Sequence, residues 1–220
     1  MWNQGISGRT AALGGGHRAG GRLRSAALGV VLWLTGCGGD APFEPLEPGA
    51  RVLAFGDSLT AGTGAPAGRG YPDALRAATG LDVRAAGVPG ETTAGGAKRF
   101  ADALDEHRPE LVILLEGGND FLRGVPASQT EANLRRMLNE AQQRSIGVYL
   151  VAVPRPGLLL STDPLYERLG EEFEVPVDTS TLVEILRDAR LKSDPVHPNA
   201  AGYARMAESI ADGLRSTGAL

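Results

Sequence analysis

The sequence predicts an α/β fold in which a parallel sheet is covered by helices on both faces. Short apolar runs alternate regularly with longer stretches whose apolar residues recur at helical spacing. The runs Val52-Leu53-Ala54-Phe55 and Leu111-Val112-Ile113-Leu114-Leu115 are continuous rather than alternating, as in strands buried on both faces. Three runs give way abruptly to glycine, in Arg51 to Gly56, Leu81 to Gly90 and Leu111 to Gly118.

The elements follow in order. The first run is a strand at 51–56, and a helix at 71–79 carries the chain back to a second strand at 81–86. A helix at 94–106 leads to the strand at 110–116, and a helix at 128–144 to the strand at 147–153. A helix at 164–172, a short strand at 174–178, a helical piece near 180–188 and a final helix at 199–214 complete the chain. Pro198 suits the first position of that last helix. The implied strand order is 2-1-3-4-5, flavodoxin-like, with the switch point between strands 1 and 3. From Arg51 about 170 residues remain, enough for one domain burying roughly 70% of its unfolded surface.

The chemistry-bearing residues fall at the strand ends. Gly56-Asp57-Ser58-Leu59-Thr60-Ala61-Gly62 delivers Ser58 to the carboxyl edge of the sheet, where open α/β folds bind ligands. Alone, Ser58 reads more readily as a helix N-cap than as a nucleophile. A nucleophilic serine needs a base, an orienting acid and donors for an oxyanion. Of three histidines, His17 lies in an N-terminal segment read as removed, and His107 ends a helical stretch. His197 remains, with Asp194 three residues earlier in a proline-bracketed turn. Asp194 would hold one ring nitrogen while the other takes the Ser58 proton. The same spacing fits a capping pair or half a metal site, but no second histidine or usable cysteine completes a ligand set. Gly90 offers a bare backbone N–H and Asn119 a side-chain amide as oxyanion donors, beside the Ser58 N–H. Glu91 and Asp120 read as loop carboxylates.

Four blocks, GDSLTAG, the Gly90 turn in AAGVPGETT, EGGND and DPVHPN, resemble in order and spacing those of the SGNH, or GDSL, hydrolases. The likeness runs from Arg51 to the C-terminus and points to the bacterial arylesterase and multifunctional thioesterase-lysophospholipase branch. It implies the SGNH hydrolase fold, Ser58 as nucleophile, His197 as base, Asp194 as its partner, and Ser58, Gly90 and Asn119 as the oxyanion hole. Pro89 stands where that family usually carries serine, and Gly87 competes with Gly90 for the donor role. The expected activity is hydrolysis of carboxylic esters or thioesters through an acyl-enzyme, without metal or cofactor. A carbohydrate O-deacetylase and a noncatalytic envelope lipoprotein are the alternatives.

Substrate selectivity is expected in the loops. Phe121 follows EGGND, and Leu158-Leu159-Leu160 is an apolar triplet in a Pro/Gly-rich loop after the fourth strand, suited to acyl-chain or aromatic contact. That loop looks shorter than in the thioesterase branch, which implies a more open site favouring short-chain or aryl esters.

The N-terminus reads as an export signal. Residues 1–37 contain Arg9, Arg18, Arg22 and Arg24 but no acid, then an apolar run from Ala26 to Leu34 and the sequence Leu34-Thr35-Gly36-Cys37. This ending resembles the bacterial lipobox, implying a lipid anchor at Cys37, the chain's single cysteine, and a bacterial envelope location on the outer membrane facing the periplasm. Residues 38–50, with Pro42, Pro45 and Pro48, read as an extended tether reaching at most roughly 45 Å. Without residues 1–37, 18 basic residues face 26 acids, so net charge moves from −4 to −8. An acidic surface argues against nucleic acid or anionic lipid as partner; the resemblance implies a small-molecule ester or thioester substrate.

Overall fold

The carboxyl ends of the central strands, where the sequence concentrates glycine and polar residues, form one edge of a five-stranded parallel sheet. A computed structural model describes residues 42–155, 157 and 160–220. Strands β1 (Arg51–Gly56), β2 (Asp82–Gly87), β3 (Leu111–Leu115) and β4 (Gly147–Val151) are joined by helices α1 (Tyr71–Thr79), α2 (Thr93–His107), α3 (Gly118–Leu122) and α4 (Ala127–Gln143). A two-stranded antiparallel ribbon, β5 (Pro154–Arg155) and β6 (Ser161–Thr162), leads to α5 (Leu165–Phe173). The edge strand β7 (Val177–Asp178), α6 (Thr181–Arg187) and α7 (Ala200–Ser216) follow. The sheet order is β2-β1-β3-β4-β7 and every pairing is parallel, the arrangement expected from the alternating elements.

Register brings the site segments level. Gly56 at the end of β1 lies opposite Gly87 of β2 on one side and Leu115 of β3 on the other. Ser58, the Gly90 turn and Asn119 therefore leave the sheet at the same height. The central strands carry the core: Val52 to Phe55 and Leu111 to Leu115 are essentially inaccessible to solvent. Phe55 packs edge-on against Phe100 of α2 at 4.9 Å.

Helix ends follow local chemistry. α1 carries Pro72 in its first turn and stops at Gly80, whose left-handed backbone lets its N–H reach Arg76 O. α7 starts at Ala200 because Asn199 caps it, accepting from the N–H groups of Ala201 and Gly202. Pro198 thus precedes the cap instead of opening the helix.

Four other segments differ from the sequence reading. β2 is an edge strand with Arg84 and Ala85 exposed, so it is not covered on both faces. The short α3 and the β5–β6 ribbon carry too few residues for a periodic signal. The segment 38–50, over its described part, is not a free spacer. Phe43 and Leu46 donate backbone hydrogen bonds to Thr217 and Ala219, and both side chains pack on the core. The Phe43 ring occupies the space beside Gly147 that a side chain would fill. Residues 1–37, with Cys37, lie outside the described residues.

Candidate active site

Ser58 leaves β1 in a tight turn. The Ala61 N–H bonds to Asp57 O and the Thr63 N–H to Ser58 O, and Ser58 stays partly accessible while its neighbours Asp57 and Leu59 are buried. His197 reaches it from the opposite end of the chain, with Ser58 Oγ 3.0 Å from His197 Nε2. The other ring nitrogen, Nδ1, lies 2.8 Å from Asp194 Oδ2. A proton on Nδ1 directed at this carboxylate leaves Nε2 free to accept from the serine hydroxyl.

Asp194 is fixed locally. Its Oδ1 accepts from the N–H groups of Val196 and His197, which closes the proline-bracketed turn. Burial alone would raise the Asp194 carboxyl, but these N–H groups and the His197 ring together hold it below the ordinary aspartate range. The loop is further pinned where the Ser193 N–H bonds to His197 O and the Asn199 N–H to Leu191 O.

The Ser58 turn and the histidine loop meet at a glycine. Gly64 has φ +97°, and a side chain there would run into Ser193 Oγ, Pro198 O and the His197 Cβ. Tyr203 of α7 donates to Thr63 O at 2.7 Å, drawing the two loops together from behind.

Gly90 and Asn119 border the same cavity as Ser58 and His197. Val88-Pro89-Gly90-Glu91 forms a turn closed by the Glu91 N–H on Val88 O, with Gly90 at φ +80°. Proline suits its second position and glycine its third, so Pro89 helps shape the turn that presents Gly90. Among the described residues nothing accepts from the backbone N–H of Ser58 or Gly90. Gly87 instead ends β2, pressed against Ala61 N and Asp57 O, and does not line the cavity.

The cavity measures about 540 Å³ and its walls are mostly apolar, including Leu59, Pro89, Leu122, Val153 and Leu160. Phe121, expected as a substrate contact, is not among its walls. One turn of α3 rotates it away: its ring packs edge-on to Tyr166 at 6.4 Å and under the Arg155 guanidinium at 4.7 Å. Leu122, 53% exposed, takes its place at the cavity. Leu158 and Leu159 lie outside the described residues.

Residues 54–205 match the GDSL-like Lipase/Acylhydrolase family. The chain belongs to this family. It is 29% identical over 172 residues to the thioesterase 1/protease 1/lysophospholipase L1 of Escherichia coli K12, covering 74% of this chain and 83% of that protein. It is also 29% identical over 175 residues to an arylesterase of Vibrio mimicus, covering 74% and 88%. Among solved structures it is similar to AlinE4, an SGNH-hydrolase family esterase, at 32% identity and a TM-score of 0.63, covering 77% of this chain and 97% of that one.

Several residues of this GDSL hydrolase matter more than their sequence context suggested. Asp57, 2% exposed, accepts from the Leu59 N–H through Oδ1 and from Asn119 Nδ2 through Oδ2 at 3.0 Å. This bond fixes which way the Asn119 amide faces: the NH₂ is turned inward, and its second N–H remains for a ligand. Burial, only partly offset by those two hydrogen bonds, raises the Asp57 carboxyl to about 6. Its position in GDS was the available signal.

Neither Glu91 nor Asp120 is a free loop carboxylate. Glu91 pairs with Arg99, whose guanidinium lies over the Phe55 ring and donates to Gly56 O and Ala86 O. The pair thereby ties the ends of β1 and β2 behind the Gly90 turn. Asp120 is buried and accepts from the Thr93 N–H and hydroxyl and from the Thr130 hydroxyl, joining α2, α3 and α4. Arg123 closes the frame by donating to Gly90 O at 2.8 Å.

Glu116 ends β3 with its carboxyl wholly buried, and neither oxygen has a hydrogen-bond partner among the described residues. Burial first, then the charges of Asp57 and Glu91, push it up to about 10, so it is protonated at neutral pH. The unfolded chain releases this proton near the ordinary glutamate value of 4.5, whereas the folded chain keeps it. Stability therefore falls as pH rises from that value toward about 10. Glu116→Gln removes this loss, so its stability advantage over the parent should grow between about pH 5 and about pH 9 in urea unfolding. An advantage independent of pH contradicts the assignment.

If Asp57 acts through Asn119, the two substitutions should not add. Asn119→Ala should lower kcat by roughly a hundredfold or more, the usual cost of one oxyanion donor. Asp57→Ala should lower kcat in the parent but have little further effect in the Asn119→Ala background. Full additivity in the four-variant cycle separates the two residues.

Proposed function

We propose that the protein is a serine esterase that hydrolyses carboxylic esters and thioesters through an acyl-enzyme intermediate. The observation that carries this reading is the 3.0 Å approach of Ser58 Oγ to His197 Nε2 at the wall of an apolar cavity. The family and the esterase and thioesterase relatives support it.

In this reading Ser58 Oγ attacks the acyl carbon and its proton passes to His197 Nε2. The carbonyl π pair moves to oxygen, and the resulting oxyanion lies between the Ser58 and Gly90 N–H groups and the free N–H of Asn119. Asp194 steadies the imidazolium. The adduct collapses as the bond to the alcohol or thiol breaks, and His197 gives that group its proton. Water then repeats the sequence on the acyl-serine, losing its proton to His197 and releasing the acid.

The acyl preference follows from the cavity. Pro154–Arg155 and Ser161–Thr162 pair as the β5–β6 ribbon, and Leu160 beside it lines the cavity. Short-chain and aryl esters should be the best substrates. In a series of p-nitrophenyl esters measured beside long-chain acyl thioesters, kcat/KM should peak at short chains and vanish in Ser58→Ala. A maximum on long acyl thioesters contradicts the preference, and turnover by Ser58→Ala removes the mechanism.

The location is proposed from the sequence of residues 1–37. The Arg-rich start, the short apolar run and Leu34-Thr35-Gly36-Cys37 support lipidation of Cys37 and attachment to the bacterial outer membrane on its periplasmic side. Cys37→Ala should move the enzyme from the membrane fraction to the soluble fraction with kcat on a soluble ester unchanged. Continued membrane association contradicts the anchor.

A further inference from the structure

One wall of the cavity differs in charge from the protein around it. Lys192, on the loop that carries His197, and Arg187, at the end of α6, both line the cavity. Lys192 Nζ donates to Leu186 O at 2.8 Å, and Arg187 Nη2 donates to Leu160 O at 2.7 Å. These bonds tether the cations without neutralising them. Among the described residues, neither has a carboxylate within salt-bridge distance, whereas arginines such as Arg99, Arg135, Arg144 and Arg168 do. Residues 38–220 hold 26 acids to 18 bases, so two cations without a carboxylate partner on one cavity run against the composition.

Donor capacity remains on both groups. An ammonium has three N–H donors and a guanidinium five, and one of each is committed to a carbonyl. Among the described residues, the single acid lining the cavity is Asp57, buried and bonded to Leu59 and Asn119. Leu160, Leu186 and Val196 line the same region, and apolar walls of this kind strengthen the field of a charge set among them.

The chemistry fixes which half of the substrate meets this wall. His197 returns the proton to the departing oxygen or sulfur, so the leaving group exits on the side of the 191–198 loop. Lys192 is part of that loop.

We propose that Lys192 and Arg187 form an anion subsite for the leaving group, so that the preferred substrates are esters or thioesters whose alcohol or thiol half carries a phosphate or carboxylate. The subsite rests on Ser58 being the nucleophile, and it deepens that reading by assigning the charge of the departing half. It does not alter the short acyl preference.

The test compares matched substrates with one acyl group. Butyryl-4′-phosphopantetheine against butyryl-pantetheine isolates phosphate on a thiol. A butyrate ester of 5-hydroxy-2-nitrobenzoate against 4-nitrophenyl butyrate isolates carboxylate on a phenol. In the parent, kcat/KM should favour the anionic member of at least one pair by about tenfold, mainly through KM, and the ratio should shrink toward one in about 0.5 M salt. The pair that responds identifies the anion. Lys192→Gln and Arg187→Gln should each lower that ratio several-fold, Lys192→Glu should invert it, and Lys192→Arg should retain most of it. Ratios near one for both pairs in the parent, or ratios unmoved by all four substitutions, overturn the subsite. Ser58→Ala run in parallel separates this outcome from failure of the mechanism, because only the latter leaves turnover in that variant.

Discussion

The contact between Ser58 and His197 joins residues 139 positions apart, and the architecture of the site depends on how that distance is closed. A parallel sheet brings the ends of β1, β2 and β3 to one edge, but α7 and the loop before it must also be brought there. Gly64 permits this closure. Its left-handed backbone and missing side chain let the Ser58 turn lie directly against Ser193, His197 and Pro198. Tyr203, itself fully buried, holds the arrangement from α7 through Thr63 O. Ser58 and His197 are therefore placed by backbone packing, and the hydrogen bond between them completes a geometry already imposed.

Around this contact the molecule buries carboxyl groups. Asp57, Glu116 and Asp120 are all nearly inaccessible, and Glu91 is covered in its pair with Arg99. Each serves a different end. Asp57 aims an amide, Asp120 joins three helices, and Glu91 with Arg99 ties two strand ends behind the Gly90 turn. Glu116 makes no hydrogen bond among the described residues and remains neutral at the expense of stability at higher pH. A low-dielectric edge of this kind also strengthens any dipole directed at a developing oxyanion. The site is thus stiff where charge develops and apolar where a substrate is accommodated.

Sequence reasoning located the elements that repeat a strong local pattern. The continuous apolar runs of β1 and β3 and the helical periodicities of α2, α4 and α7 were legible to within a few residues, and with them the sheet order. Ser58, Gly90, Asn119, Asp194 and His197 were legible as types at strand and loop ends; the structure brings Ser58, Gly90, Asn119 and His197 to one cavity and sets Asp194 against the His197 ring. Asp57, Glu91 and Asp120 were not, because their partners lie elsewhere in the chain and acids in loops are usually solvated. Phe121 was misplaced since a five-residue helix sets which of two adjacent residues faces the cavity, and so short a segment has no periodicity to read. The prolines of 42–50 concealed Phe43 and Leu46, whose bonds to Thr217 and Ala219 link the two ends of the described chain.

The account stands on an activated hydroxyl at Ser58. The most direct measurement is mass-spectrometric mapping after treatment with a fluorophosphonate, in which Ser58 Oγ bonds to phosphorus, fluoride leaves and His197 takes the proton. One adduct per chain on the peptide containing Ser58, absent in Ser58→Ala and formed far more slowly in His197→Ala, is the predicted result. An adduct on another residue, or labelling that proceeds at the same rate without the His197 imidazole, contradicts it.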